Sequence, residues 1–303
     1  MSKKKSLNIK KLIVLIIILG AIIGTVVFLN NKSKDNKGEI ENATSTFNEN
    51  ENDNDNGKKE NEAKKENVII PEKTELEKRL ENGTYLSDNG LPVLMYHFFY
   101  DKNEREPQDG NWIEINDFEA QMKYLSENDF YFPTWDEVEN YIDGKTELPE
   151  KSVVITVDDG DPSFFEHGVP IIQKYNVQAT SFVVAYWYGD VAQNKEKNIS
   201  YQSHSYDMHK AGSNGKGVML SWDYERMVED LKTSQEVLGG ANIFCYPFGQ
   251  FNELDKKALK DTGFKLAFTT QGGRVKKGAS KYELPRVRVA GTTSMESFIK
   301  KVE

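Results

Sequence analysis

Cysteine is nearly missing from this chain of 303 residues, where Cys245 stands alone. A single thiol excludes an internal disulfide framework and any Cys-based zinc site. Histidine is almost as scarce, with only His97, His167, His204 and His209 present, so imidazole chemistry must draw on these positions. None of them forms the helical His-Glu-x-x-His pair of a zinc peptidase. Positive charge is in deficit too. The 48 acids against 39 Lys and Arg leave a net charge of −9, which argues against nucleic acid as a partner, because phosphate binding draws on a basic surface.

What is present begins at the amino end. Residues 1–11 hold five lysines and no acid, and residues 12–29 follow as eighteen uncharged positions dominated by Ile, Leu and Val. That length suits a membrane span. Lysines preceding it predict a basic cytoplasmic tail over 1–11 and an extracellular remainder. A cleaved signal peptide is the competing reading, but the run is long for that role and no small-x-small cleavage site follows. A single-pass transmembrane anchor over 12–29 is therefore expected. Residues 30–67 contain eleven Asn, ten acids, seven Lys and one aromatic, Phe47. Such a segment cannot bury enough apolar surface to offset the entropy of ordering, which predicts a disordered linker. The Asn and Lys content also fits an AT-rich bacterial genome, and a Gram-positive source is expected.

A folded domain is expected over 68–303. Short charged helix at 74–82, strand at 91–97, helix at 116–127 capped by Asn116, short strand at 130–132, and helix at 135–142 capped by Thr134 open it. Residues 153–157 are β-branched without alternation, as in a strand covered on both faces, and they stop on Asp158, Asp159 and Gly160. Helix at 164–175 and strand at 179–185 lead to a long polar loop at 189–217. Ser221 then caps a helix to residue 238, and strands at 243–246, 266–269 and 283–289 enclose a helix at 253–262. Strands alternating with helices indicate an α/β, barrel-like fold.

Chemistry in such folds sits where strands end, which places Asp158, Asp159 and His97 at a candidate site. Adjacent strand residues point to opposite faces, so both acids can face one pocket only where the backbone leaves the strand, as Gly160 permits. An ordinary Asp-Asp-Gly turn is the structural alternative. His204 and His209 lie five apart, too far to converge on a helix but not on a loop. Two imidazoles and one carboxylate are a common set for a catalytic first-row metal; two surface histidines in a polar loop are the alternative.

Thr156-Val157-Asp158-Asp159-Gly160, His204 through His209, and Tyr246-Pro247-Phe248-Gly249 together resemble the polysaccharide deacetylases of the NodB-homology type, carbohydrate esterase family 4. The wording around His97, His204 and Leu284 to Val289 is most similar to the branch acting on poly-β-1,6-N-acetylglucosamine. The resemblance implies a distorted (β/α) barrel of about seven strands with a divalent metal at its mouth, zinc first, with cobalt, nickel or manganese as alternatives. It implies Asp159, His204 and His209 as metal ligands and Asp158 as general base. It also implies an oxyanion or substrate role for Phe248 and Tyr246, with the Phe248 N–H as the donor because Pro247 has none. Two departures stand out. No histidine follows His209, so His97 becomes the general acid, a buried structural histidine being the alternative. Cys245 occupies the place of the arginine that orients the base, leaving Arg286 or Arg288 to substitute, with Arg286 preferred.

His167 is expected on the solvent side of its helix and Cys245 in the core. Trp187, Tyr188, Trp222 and Phe248 are read as core packing ahead of a sugar-stacking groove. The function expected is metal-dependent N-deacetylation of an N-acetylglucosamine polymer by a membrane-anchored, extracellular, monomeric enzyme. Peptidoglycan as substrate, and a glycan-binding module without turnover, are the rivals.

Overall fold

The computed structural model describes residues 73–212 and 215–303. The expected tail at 1–11, anchor at 12–29 and linker at 30–67 lie outside the described residues. Among the described residues no helix is long and apolar enough to cross a membrane.

Among the described residues nine strands occur in chain order: β1 (Val93–Tyr96), β2 (Phe98–Tyr100), β3 (Trp112–Glu114), β4 (Val154–Val157), β5 (Ala179–Val183), β6 (Ile199–Ser203), β7 (Ile243–Cys245), β8 (Leu266–Gly272) and β9 (Leu284–Arg288). Seven of them form one parallel sheet in the order β1-β4-β5-β6-β7-β8-β9. Because β1 pairs with β4 on one side and β9 on the other, the sheet closes on itself. The remaining two, β2 and β3, pair separately and in parallel.

Side chains alternate across each strand, and here the alternation separates two cores. Ile155 and Val157 pack outward with Phe118, Met122, Phe164 and Ile172. Val154 faces the other way, with Val93, Phe182, Ile243, Cys245 and Leu284. Burial on both faces explains why these strands read as continuous apolar runs. At one end of the ring the helix Trp135–Ile142 packs underneath, with the Trp135 ring 5.2 Å from Phe268. Parallel strands place every carboxyl end at the opposite rim.

Several boundaries differ from the sequence reading. The helix Ile115–Glu127 is capped by Glu114, whose carboxylate accepts from the Asn116 N–H, not by Asn116. Asp223, not Ser221, caps Tyr224–Val237, because its side chain accepts from the Arg226 N–H. Residues 130–132 contribute only an isolated bridge, Tyr131 to Ser152. The strand expected to reach residue 185 stops at Val183, and a short helix, Ala185–Tyr188, follows. Most consequentially, the polar stretch at 189–217 contains β6. Three of its five residues, Ser200, Gln202 and Ser203, are polar, and only Ser203 is fully buried, so no continuous apolar run marks it. Gln202 compensates where the ladder to β7 is thin, its Oε1 accepting from the Asn242 and Ile243 N–H groups.

Candidate active site

Alternation also builds the site. Val154, Thr156 and Asp158 form one inward-facing series, and Leu284, Arg286 and Arg288 another, so the last inward position of each strand arrives at the rim. The next residue, Asp159, should point outward, but its backbone takes a left-handed turn with φ 73°. The reversal thus falls on Asp159 itself as well as on Gly160, whose φ is 75°. Such backbone is costly for a residue with a side chain and concentrates at functional sites. Ser205 at φ 73° and Phe248 at φ 58° share it.

Asp158 is 2% exposed and gripped by Arg286, whose Nη1 and Nη2 each donate to one carboxylate oxygen at 2.7 Å. Arg286 is itself held by Thr269 O at 2.9 Å, Thr156 Oγ1 at 3.1 Å and the Cys245 sulfur at 3.0 Å. Burial pushes the Asp158 carboxyl up, but the charge and hydrogen bonds of Arg286 outweigh it and hold the group well below the usual carboxylate range. His97 Nε2 lies 3.7 Å from Asp158 Oδ2, and burial lowers its pKa against the pull of both acids.

Asp159, His204 and His209 converge from two different strand ends. Asp159 Oδ1 lies 3.4 Å from His204 Nε2 and 3.3 Å from His209 Nε2. His204 turns its other nitrogen, Nδ1, to the Cys245 carbonyl at 2.7 Å, which leaves Nε2 facing Asp159. Burial and the charge of His204 push His209 down to about 4. Asp158, His204 and Cys245 also cluster, but the Arg286 guanidinium already serves two of them as cation.

A cavity of about 580 Å³ opens over these groups, bordered by His97, Asp158, Asp159, His204, His209 and Phe248 among others. Arg288 also borders it, bonded to Asn111 at 2.7 Å, while Arg286 alone reaches Asp158. The Phe248 ring lies 4.5 Å from His209 and is 44% exposed.

Three expectations need correction. Tyr246 borders the cavity, but its side chain is fully buried with its hydroxyl donating to Tyr282 O, so it packs and offers no donor to a substrate. Trp187 and Phe248 are not core residues, since each is 44% exposed beside His209. Cys245 is buried as expected, yet it also touches Arg286 and His204. His167 is half-exposed on a π-helical turn, Phe164–Gly168, away from these groups. Thr156, Asn111 and Thr270 were missed by sequence reasoning; for Thr156 the inward alternation of its strand was the available signal.

The model of the polysaccharide deacetylase family matches residues 145–267. A poly-β-1,6-N-acetyl-D-glucosamine N-deacetylase of Staphylococcus aureus is 27% identical over 208 residues, covering 62% of this chain and 71% of the relative. Among solved structures, IcaB from Ammonifex degensii is similar at 27% identity and TM-score 0.59, covering 72% of this chain and 97% of that one. The Streptococcus pyogenes deacetylase PplD shares the fold at TM-score 0.62 and 21% identity, over 70% of this chain and 98% of its own. Residues 145–267, which carry Asp158, Asp159, His204 and His209, thus form part of a polysaccharide deacetylase domain of the NodB type, a hydrolase domain that acts on amide bonds.

Proposed function

We propose that this chain removes N-acetyl groups from the N-acetylglucosamine units of a cell-surface polymer, poly-β-1,6-N-acetylglucosamine, with the help of a divalent metal. The observation that carries the reading is the convergence of Asp159, His204 and His209 beside the Asp158–Arg286 pair. One carboxylate oxygen and two imidazole nitrogens suit zinc, with cobalt, nickel or manganese as alternatives, and leave room for water. Their spacing supports the fit: donors 3.3 and 3.4 Å apart match the edge of a tetrahedron whose bonds are about 2.0–2.1 Å, roughly 3.3–3.4 Å. When bound, such an ion lowers the pKa of water toward about 7 and polarises the acetamide carbonyl.

The side chains supply the rest. Asp158, kept ionised and fixed by Arg286, accepts the proton of the attacking water. His97, 3.7 Å away, takes that proton and delivers it to the departing amine. Phe248 borders the cavity, and its N–H is the backbone donor for the developing oxyanion, since Pro247 has none. Trp187 and Phe248 offer exposed rings for sugar faces at the rim. The substrate choice is supported by the name and identity of the Staphylococcus aureus relative. The basic tail, apolar run and Asn-rich segment support a catalytic domain tethered outside the cell membrane.

The test is acetate release by the full chain, stripped with chelator and reloaded with zinc, on poly-N-acetylglucosamine oligomers and on N-acetylated peptidoglycan. Metal-dependent release from the first polymer is expected. Release confined to peptidoglycan would overturn the substrate, and equal release from stripped protein would overturn the metal.

A further inference from the structure

The two histidines of the site are five residues apart, a spacing that no regular element brings to one point. The turn between them is held in an unusual way. Four consecutive backbone N–H groups are each accepted by a side-chain oxygen: Ser205 by Ser203 Oγ at 3.1 Å, Tyr206 by Asp230 Oδ1 at 2.8 Å, Asp207 by Asp230 Oδ2 at 2.8 Å, and Met208 by Ser205 Oγ at 3.1 Å. Asp230 comes from the helix Tyr224–Val237 and is 6% exposed. One helical turn later, Ser234 Oγ meets Ser203 Oγ at 2.8 Å, so a single helix face braces the whole turn.

Asp230 forms no ion pair with any described residue, and its hydrogen-bond partners are those two amides. A buried carboxylate without an ion-pair partner is costly to keep. An apolar residue would pack there at less expense, but it would leave two buried N–H groups without acceptors. Its two oxygens fix the relative orientation of adjacent peptide planes midway between His204 and His209.

We infer that Asp230 is a positioning residue: by holding the Tyr206 and Asp207 amides it sets the separation at which His204 and His209 meet Asp159. The inference rests on the metal reading above. It predicts that Asp230 tunes metal affinity without touching the metal, as outer partners of ligands generally do.

The experiment measures zinc dissociation constants of the full chain by competition with a chromophoric chelator, alongside thermal unfolding. Asp230→Asn keeps the shape but can accept from only one of the amides, and should weaken zinc binding by about 10- to 100-fold. Asp230→Ser reads the same loss should the amide variant fail to fold. Leu125→Ala, in the core on another helix, serves as control: it should lower the unfolding temperature and leave zinc affinity at the wild-type value. Wild-type zinc affinity in a folded Asp230→Asn or Asp230→Ser chain would overturn the inference. So would a loss in Leu125→Ala as large as theirs, since instability alone would then explain it. Zinc binding that His209→Ala leaves unchanged would instead overturn the metal reading itself.

Discussion

Replacing Arg286 with methionine removes the guanidinium paired with Asp158 while keeping most of the volume. The loss follows from the geometry. Arg286 has no exposed side-chain surface and Asp158 has 2%, so neither solvent nor relaxation can replace the two 2.7 Å bonds between them. Breaking one partner of a buried pair costs about 3–5 kcal/mol because the remaining charge is left uncompensated. For a domain of this size each kcal/mol moves the midpoint by about 2–4 °C, so the unfolding temperature should fall by roughly 6–20 °C at neutral pH. The deficit should depend on pH with a definite sign. In the wild type the Asp158 pKa lies below its unfolded value of about 3.9, so its pairing stabilises above that value and is lost as the pH falls through the folded pKa. Without the guanidinium, burial is opposed only by the weaker pull of His97 and His204 and raises the folded pKa above the unfolded one. The variant is then penalised at neutral pH and relieved as the carboxyl protonates. Thermal unfolding followed by circular dichroism at pH 7 and pH 4 should show the gap narrowing at the lower value, and Asp158→Asn/Arg286→Met should recover part of the loss. An equal deficit at both pH values, or a double variant no more stable than Arg286→Met, would refute the reasoning.

Other substitutions separate the roles of neighbouring groups. Asp158→Asn should abolish acetate release while zinc remains bound, whereas His204→Ala and His209→Ala should each lose zinc as measured by metal analysis after dialysis. Trp187→Ala removes an exposed ring, so the unfolding temperature should stay within a degree or two, while KM for the polymer rises several-fold. Gly249 sits at φ 68°, and a Cβ there would lie 2.1 Å from Thr270 Oγ1. Gly249→Ala should therefore cost roughly 1–2 kcal/mol from backbone strain alone, and lower kcat by displacing the turn that carries Phe248, measured on oligomers at saturating substrate.

Much of the architecture was legible because buried parallel strands announce themselves. Residues 153–157 and 91–96 are largely apolar, and each is followed directly by a side chain that reaches the site, Asp158 or His97, so strand identity and site position came together. The capping box at Thr134 likewise marked its helix correctly. β6 was illegible, since serines and a glutamine interrupt its apolar positions, and Gln202 serves the amides of Asn242 and Ile243 in place of filling a core. The caps at Glu114 and Asp223 were missed because a nearby Asn and Ser offered equally plausible caps, and only the local backbone decides between them. Tyr246 illustrates the opposite error: a motif position suggested substrate contact, while packing against Phe244 and Phe251 turned its ring inward.

The sequence by itself determined the strand–helix alternation, the acid pair at a strand end, and the scarcity of histidine that singled out His97, His204 and His209. These are local properties of burial pattern and residue type, and they need no knowledge of what lies across the ring. Tertiary structure alone decided that Arg286, 128 residues along the chain from Asp158, closes a bidentate pair with it, and that Asp159 turns back through a left-handed backbone to meet two histidines. It also decided that Asp230, on a distant helix, holds the turn between them. Each of these depends on where closure of the sheet brings strand ends and helix faces together, a long-range condition that no short stretch of sequence encodes.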